Sequence, residues 1–174
     1  MFEIRPMSAE RYRQDTRRIA FVVIAIFLVL ALLLSSLAVQ LFGDPGGNNF
    51  RWNLLGVLAG LAATVALVRL KLWSTAWMAP AAYGWQLKRN LMRITNVMHH
   101  VKAGVAARQP EAIKLLRFYH LGVTQMHQLD GNLTELAGMV REIDAHRELM
   151  EELGMDAEQT HLDPVWIEAV KGIG

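Results

Sequence analysis

Histidine is the residue type in this chain that most directly suggests chemistry, because an imidazole can bind a metal and can transfer protons near neutral pH. Six histidines are present. His99 and His100 are adjacent, so on a helix their side chains diverge by about 100° and cannot share one ion. His120 and His127 fall on one helix face but about 10.5 Å apart, which is also too far. Neither pair predicts a metal site.

The remaining candidates for metal ligands are Glu142 with His146, four residues apart, and His127. Each fits an ordinary ion pair or hydrogen bond on a helix surface. A di-iron bundle would need two Glu-x-x-His motifs on facing helices, and the sequence has none. We therefore expect no bound metal and no cofactor.

Other catalytic patterns are missing from the 174 residues. The chain has no cysteine, which excludes thiol catalysis and cysteine-ligated metal centres. It also has no G-x-S-x-G nucleophile turn and no glycine-rich phosphate loop. We expect a protein that is not an enzyme, and we identify no small-molecule substrate.

Two long apolar segments determine where in the cell the chain can lie. Residues 19–42 contain no charged side chain, and residues 52–73 contain only Arg69 and Lys71, both near their end. A bilayer core of about 30 Å requires about 20 such residues in a helix, so both segments are predicted to span a membrane. The connector, residues 43–51, is rich in glycine and asparagine and predicts a short turn. These features indicate a two-helix transmembrane hairpin.

Aromatic and basic residues flank the two spans and are predicted to lie at the lipid surface. They are Arg17, Arg18, Trp52, Arg69, Lys71, Trp73 and Trp77. Arginine and lysine are concentrated before the first span, in residues 1–18, and after the second, whereas the connector offers only Arg51. The positive-inside rule therefore places both termini in the cytoplasm and the turn outside.

Small residues in the second span predict close helix packing. Gly56, Gly60 and Ala63 form a strip that lets another helix approach the backbone. The partner is either the first span of the same chain or a helix of another protein. The polar residues Ser35, Ser36 and Gln40 would line a pore only if the spans formed a symmetric oligomer.

Residues 74–174 predict a cytosolic antiparallel three-helix bundle, with helices at about 81–107, 110–129 and 133–153. The boundaries come from Pro110, from Asn132 with Glu135 as a capping box, and from Gly154 as a helix stop. A short apolar run after Asp163-Pro164 could dock as an additional turn or two.

A regular apolar seam runs along the first of these helices with the spacing 4-3-4-3-4, which is typical of a heptad pattern. Its members are Leu87, Leu91, Ile94, Met98, Val101 and Val105. Together with Trp85, the first four are candidates for contact with a partner. The alternative is that the seam is the core of the chain's own bundle.

Charge is partitioned along the tail. Residues 69–108 hold seven basic side chains and no acidic one, whereas residues 109–174 hold twelve acidic and five basic ones. We expect the outer basic residues to pair with the acidic helices, and those nearest the span to meet anionic lipid. A nucleic-acid surface is not indicated, because stacking aromatics and clustered arginines are lacking.

Three segments carry a resemblance to a known family: Phe50-Arg51-Trp52-Asn53-Leu54-Leu55-Gly56-Val57, Tyr83-Gly84-Trp85-Gln86-Leu87-Lys88-Arg89-Asn90-Leu91, and Leu116-Arg117-Phe118-Tyr119-His120. They resemble an uncharacterised proteobacterial inner-membrane family known only as a domain of unknown function. The resemblance implies a two-span protein of the bacterial inner membrane with a cytosolic tail. It brings no activity and no site residue.

The sequence therefore predicts an all-α membrane protein that acts as a helical interaction module. Its partners would be membrane lipids and either a second copy or another protein, bound through the second span and the cytosolic bundle. One alternative is an accessory subunit or assembly factor of a larger inner-membrane complex. Another is an oligomeric channel or a small-molecule sensor.

Overall fold

The computed structural model of the chain describes residues 2–172, and the fold is all-α, with 79% of the residues helical. Seven α-helices and one two-stranded sheet lie within the described part. The contacts divide the chain into two compact units. One unit is formed by residues 14–82, and the other combines the residues up to 13 with those from 83 onward.

The apolar unit contains most of α1 (Ala9–Phe42) and all of α2 (Phe50–Leu67), which a π-helical turn (Val68–Leu72) and a 3₁₀ turn (Ala76–Met78) extend. Within the described residues, two helices are long and apolar enough to cross a membrane, Ala9–Phe42 and Phe50–Leu72. Only 6% and 17% of their most apolar stretches are buried. Neither is therefore a core helix enclosed by its own chain.

The turn between α1 and α2 is closed by Asn49. Its side-chain oxygen accepts a hydrogen bond from the Asp44 amide at 2.9 Å, and its Nδ2 donates to the Asp44 carbonyl at 3.2 Å. Gly46 has φ +83°, a left-handed conformation that glycine adopts without steric cost. The glycine and asparagine content of the connector thus produces the predicted short turn.

The folded unit contains β1 (Phe2–Glu3), the part of α3 (Ala79–Thr95) from Tyr83 onward, and the elements that follow it. These elements are α4 (Met98–Ala106), α5 (Pro110–Asp130), α6 (Leu133–Glu152), β2 (His161–Leu162) and α7 (Pro164–Lys171). Helix α5 is the centre of its core, since Ile113, Leu115 and Phe118 are fully buried. Helices α4, α6 and α7 pack around it.

The predicted continuous helix over residues 81–107 is wrong, because the chain breaks into α3 and α4 at Asn96 and Val97. Thr95 and Asn96 have low helix propensity, and the Thr95 hydroxyl donates to the Leu91 carbonyl at 3.0 Å. Val97 leaves the helical region with φ −116°. The next two helices end within one residue of their predicted limits.

The N-terminal segment contains a short strand that was not predicted from the sequence, and this strand joins the folded unit. Strand β1 pairs antiparallel with β2, so that Phe2 lies opposite Leu162. The Phe2 ring also stacks on Tyr83 at 5.6 Å between ring centroids. Helix α1 then begins at Ala9, well before the apolar stretch.

The predicted stops and caps have mixed outcomes. Gly154 has φ +65° and terminates α6 as expected. The capping box is wrong, because the Asn132 side chain makes no cap hydrogen bond and Glu135 lies 3.7 Å from His127. The run after Asp163 is the helix α7, which the Asp163 side chain caps by accepting a 2.9 Å hydrogen bond from the Val165 amide.

Candidate functional site

Three polar side chains are buried together between α5 and α6, which is the feature of the folded unit that most resembles a site. Arg117 is 5% exposed, His120 is 1% exposed and His146 is 6% exposed. Arg117 and His120 are one turn apart on α5, so they share a helix face. Since buried charged groups are rare unless they are paired, this polar cluster calls for a physical explanation.

Backbone carbonyls fix the orientation of two members of the cluster. The His146 Nε2 atom lies 3.0 Å from the Ile113 carbonyl oxygen, which requires the imidazole proton on Nε2. Arg117 Nε donates to the Ala157 carbonyl at 2.7 Å. The His120 and His146 rings meet edge to face, 5.2 Å apart between centroids. In this way α5 is tied both to α6 and to the segment after it.

Burial disfavours the charged form of each group. Desolvation, together with the neighbouring His146, lowers the pKa of His120 from 6.5 to about 4. Desolvation also lowers the pKa of His146, although the hydrogen bond to Ile113 opposes this. The Arg117 pKa is lowered by burial in the same way. Both imidazoles are therefore neutral at pH 7.

Within the described residues, two buried nitrogens of the cluster have no hydrogen-bond partner, His120 Nδ1 and Arg117 Nη1. A neutral imidazole with a low pKa is a weak base. The arrangement is therefore suited to making the packing of α6 sensitive to protonation.

The weak metal candidates are not brought together. Glu142 pairs with Lys102 at 3.4 Å, His127 lies 3.7 Å from Glu135, and His146 belongs to the buried cluster. In the part of the chain that the structure describes, no group of three His, Asp or Glu side chains could hold one ion.

The glycine strip of the second span packs within the chain. A Cβ atom added at Gly60 would lie 2.7 Å from the Ala31 Cα atom of α1, and one added at Gly56 would overlap the Ser35 backbone. Ser35 Oγ also donates to Asn53 Oδ1 at 2.8 Å. Gly56 and Gly60 are therefore occupied by the first apolar helix, while Ala63 is half-buried.

The seam on α3 and α4 likewise forms the chain's own core. Leu87, Leu91 and Ile94 are at most 4% exposed and pack against α5 residues. The prediction that these three residues contact a partner is therefore wrong, because their side chains are buried within the chain's own core. Met98 is half-buried beside the same core, whereas Trp85 is 44% exposed with Arg89 over its ring at 5.0 Å.

The residues predicted to lie at the lipid surface are exposed or half-buried. Arg17, Arg18 and Lys71 are exposed, and Trp77 is 37% exposed. Trp52 and Trp73 are half-buried. Arg51 lies over the Trp52 ring at 5.1 Å, and Arg69 lies over the Trp73 ring at 5.2 Å. Of the pore candidates, Ser36 and Gln40 are exposed.

The predicted pairing of the basic and acidic halves is present. Lys88 Nζ lies 2.9 Å from Asp130 Oδ2, and Lys102 pairs with Glu142. Both pairs are solvent-exposed, so each adds less than about 1 kcal/mol to stability.

Sequence reasoning missed the buried cluster and the role of the N-terminal segment. The alternation of apolar Phe2 and Ile4 with polar Glu3 and Arg5 is a short strand pattern that could have revealed β1. The cluster has no comparable signal, because Arg117 and His120 meet His146 only after α5 and α6 pack.

Comparison of the chain with known proteins identifies a family whose function is unknown. The profile of a family described as "Protein of unknown function (DUF3087)" matches residues 2–167, which covers both apolar helices and nearly all of the folded unit. Neither the curated proteins nor the solved structures contain a match. The chain belongs to the DUF3087 family of proteins of unknown function.

Proposed function

We propose that this chain is a bacterial inner-membrane protein that crosses the membrane as a hairpin of two helices and presents a cytoplasmic helical bundle to a protein partner. The first support is the exposure of the two apolar helices, since about 20 apolar residues exposed to water would be strongly unfavourable. The basic residues that flank the spans favour a cytoplasmic location for both termini.

The folded unit supplies a second, independent support for this topology. Strand β1 precedes the first apolar helix, β2 follows the second, and the two strands pair with each other. Arg13 also donates to the Gln128 carbonyl at 3.3 Å. Paired segments must lie on one side of a membrane, so the intervening chain crosses it an even number of times. Two crossings satisfy this requirement.

The observation that carries the binding role is the poor coverage of α6. Of its 20 residues, only His146 and Met150 are buried. Leu133 is 61% exposed, Val140 is 45% exposed and Leu136 is half-buried. The spacing of these three residues, i, i+3 and i+7, places them on one face of the helix. We call this face the α6 apolar strip (Leu133, Leu136 and Val140).

The charge of α6 indicates the kind of partner. The helix carries six acidic and two basic side chains, so a partner with a basic, partly apolar surface would be complementary to it. The glycine strip and the heptad seam are occupied within the chain, which leaves the α6 apolar strip as the better contact surface. The interaction module is thus proposed to act through α6.

The proposal is tested by the mass of the full-length chain purified in mild detergent from its native membrane. We expect the wild-type chain to run above its monomer mass with a stoichiometric protein partner. The Leu133→Glu/Val140→Glu variant should lose that partner. Thr134→Glu is the matched control, because Thr134 is exposed on the same helix outside the strip.

The possible results separate the hypotheses. A second, different chain at fixed stoichiometry would identify a heterologous partner, which the accessory-subunit role also requires, and a doubled mass would identify a second copy as the partner. A clean wild-type monomer would contradict the proposed binding role. Equal loss of the partner from the Thr134→Glu variant would instead exclude the α6 apolar strip as the contact surface.

A further inference from the structure

A shallow apolar hollow of about 610 Å³ lies along one face of α2 and ends at a cation. Two of its lining residues, Ala62 and Ala66, have side chains that are single methyl groups. The larger apolar lining residues are Leu58, Leu61, Val65 and Leu70, and Arg69 is the charged one. The spacing of these residues, three and four apart, places them on one side of the helix.

This hollow is separate from the face of α2 that packs on α1. Gly56, Gly60 and Thr64 are the buried residues of α2. In contrast, Leu58 is 53% exposed and Val65 is 58% exposed. The hollow is therefore open to whatever surrounds the two apolar helices.

Arg69 places a positive charge at one end of the hollow, whereas the other lining residues are apolar. It lies in the π-helical turn Val68–Leu72 at the end of α2, and its guanidinium lies over the Trp73 ring at 5.2 Å. Tryptophan and arginine at the end of an apolar helix are typical of lipid headgroup depth. The surface thus combines an apolar stretch with a cation at the level of the headgroups.

We propose that this hollow binds one anionic phospholipid, with an acyl chain along Ala62 and Ala66 and the phosphate at Arg69. The proposal rests on the proposed membrane insertion of α2. Charge complementarity favours a lipid over a second copy of the chain. Two copies share one orientation in a membrane, so a two-fold contact through this face would bring the two Arg69 side chains together. Like charges at such a contact repel each other.

The test uses the full-length chain in mild detergent with equimolar phosphatidylglycerol and phosphatidylcholine of identical acyl chains. Native mass spectrometry then counts the retained lipids. We expect one retained phosphatidylglycerol, with a preference of about fivefold over phosphatidylcholine that is lost in Arg69→Gln. Lys71→Gln is the charge control, because Lys71 is also exposed but does not line the hollow.

A second pair of variants tests the apolar part. Ala62→Leu/Ala66→Leu fills the hollow and should lower retention of the phosphatidylglycerol several-fold. Ala59→Leu adds the same side chain at an exposed position outside the hollow and should not. Extraction of membranes with alkaline carbonate, performed on every variant, reports insertion separately from lipid binding.

Three results would overturn the lipid site while leaving membrane insertion intact. They are equal retention of the two lipids by the wild-type chain, equal losses from Arg69→Gln and Lys71→Gln, and a dimer that Ala62→Leu/Ala66→Leu dissociates. The last would assign the face to a second copy. Release of the wild-type chain by carbonate would instead contradict the proposed membrane insertion itself.

Discussion

At the residue scale, the two neutral histidines between α5 and α6 link the packing of the folded unit to pH. His120 and His146 touch edge to face, and Arg117 lies in the same interior. Among the charges that act on His120, those of His146, Arg117 and Lys102 oppose its protonation, and that of Glu142 favours it. Protonation of either ring would place a second cation beside Arg117 in a buried site, so acid should weaken the attachment of α6.

We predict that the free energy of unfolding falls as the pH is lowered from 7.5 to 5. Because the pKa of His120 is about 4 in the folded chain and 6.5 in the unfolded chain, the stabilisation is present above pH 6.5 and is lost progressively as the pH falls from 6.5 to about 4. The expected loss at pH 5 is about 2 kcal/mol. Denaturant titration of the full chain in mild detergent, followed by circular dichroism, measures it.

Two variants identify the source of this pH dependence. His120→Phe removes one of the two buried titrating rings and should reduce the difference between pH 7.5 and 5, whatever its effect at one pH. His99→Gln changes an exposed histidine and should leave the difference unchanged. A wild-type chain that is equally stable at both pH values would contradict the role given to the buried histidines.

A methyl group added at each of two helical glycines should change the stability of the chain in opposite directions. A Cβ atom at Gly84 of α3 would overlap the Tyr12 hydroxyl, whereas one at Gly138 of α6 would meet nothing within 4 Å. We expect Gly84→Ala to destabilise the chain by about 1–3 kcal/mol. Gly138→Ala should stabilise it by about 0.5–1 kcal/mol. Equal shifts of the two unfolding midpoints in denaturant would disprove the close contact of Tyr12 with α3.

At the element scale, helices with strong local signals were predictable and elements that depend on distant partners were not. Pro110 begins α5 and Gly154 follows the end of α6, because proline and left-handed glycine act through the local backbone. The break at Asn96 and Val97 was hidden by a seam that stays in register across it. The alternation at the N-terminus indicates a strand but cannot identify the partner strand, because the paired residues lie 158 and 160 positions away.

The packing of α1 on α2 within one chain yields a crosslinking prediction. Ser35 and Asn53 are hydrogen-bonded across the two helices, and the chain has no native cysteine to interfere. We expect Ser35→Cys/Asn53→Cys to oxidise to an intramolecular disulfide, seen as a monomer with altered mobility on a non-reducing gel. Ser35→Cys/Ala59→Cys is the control and should not react. A covalent dimer as the main product would show that this contact lies between chains.

At the scale of the whole molecule, the segments before and after the two apolar helices belong to one folded unit, so that the apolar helices are an insertion in its sequence. The uneven hydropathy of the sequence predicted the apolar insertion. The opposite charges of the two tail segments predicted ion pairs between them, and Lys88–Asp130 and Lys102–Glu142 are two such pairs. The buried polar cluster between α5 and α6 could not be predicted from the sequence. Arg117, His120 and His146 form a cluster only through the packing of α6, and no local spacing encodes that packing.

The central claim is that the folded unit lies on one side of a membrane and the turn between α1 and α2 on the other. The most direct measurement is labelling of single cysteines by a membrane-impermeant maleimide in spheroplasts of the bacterial host. We predict that Pro45→Cys, in the turn, is labelled in intact spheroplasts, and that the exposed Glu148→Cys is labelled only after lysis. Equal labelling of the two cysteines before lysis, or protection of both, would contradict the account.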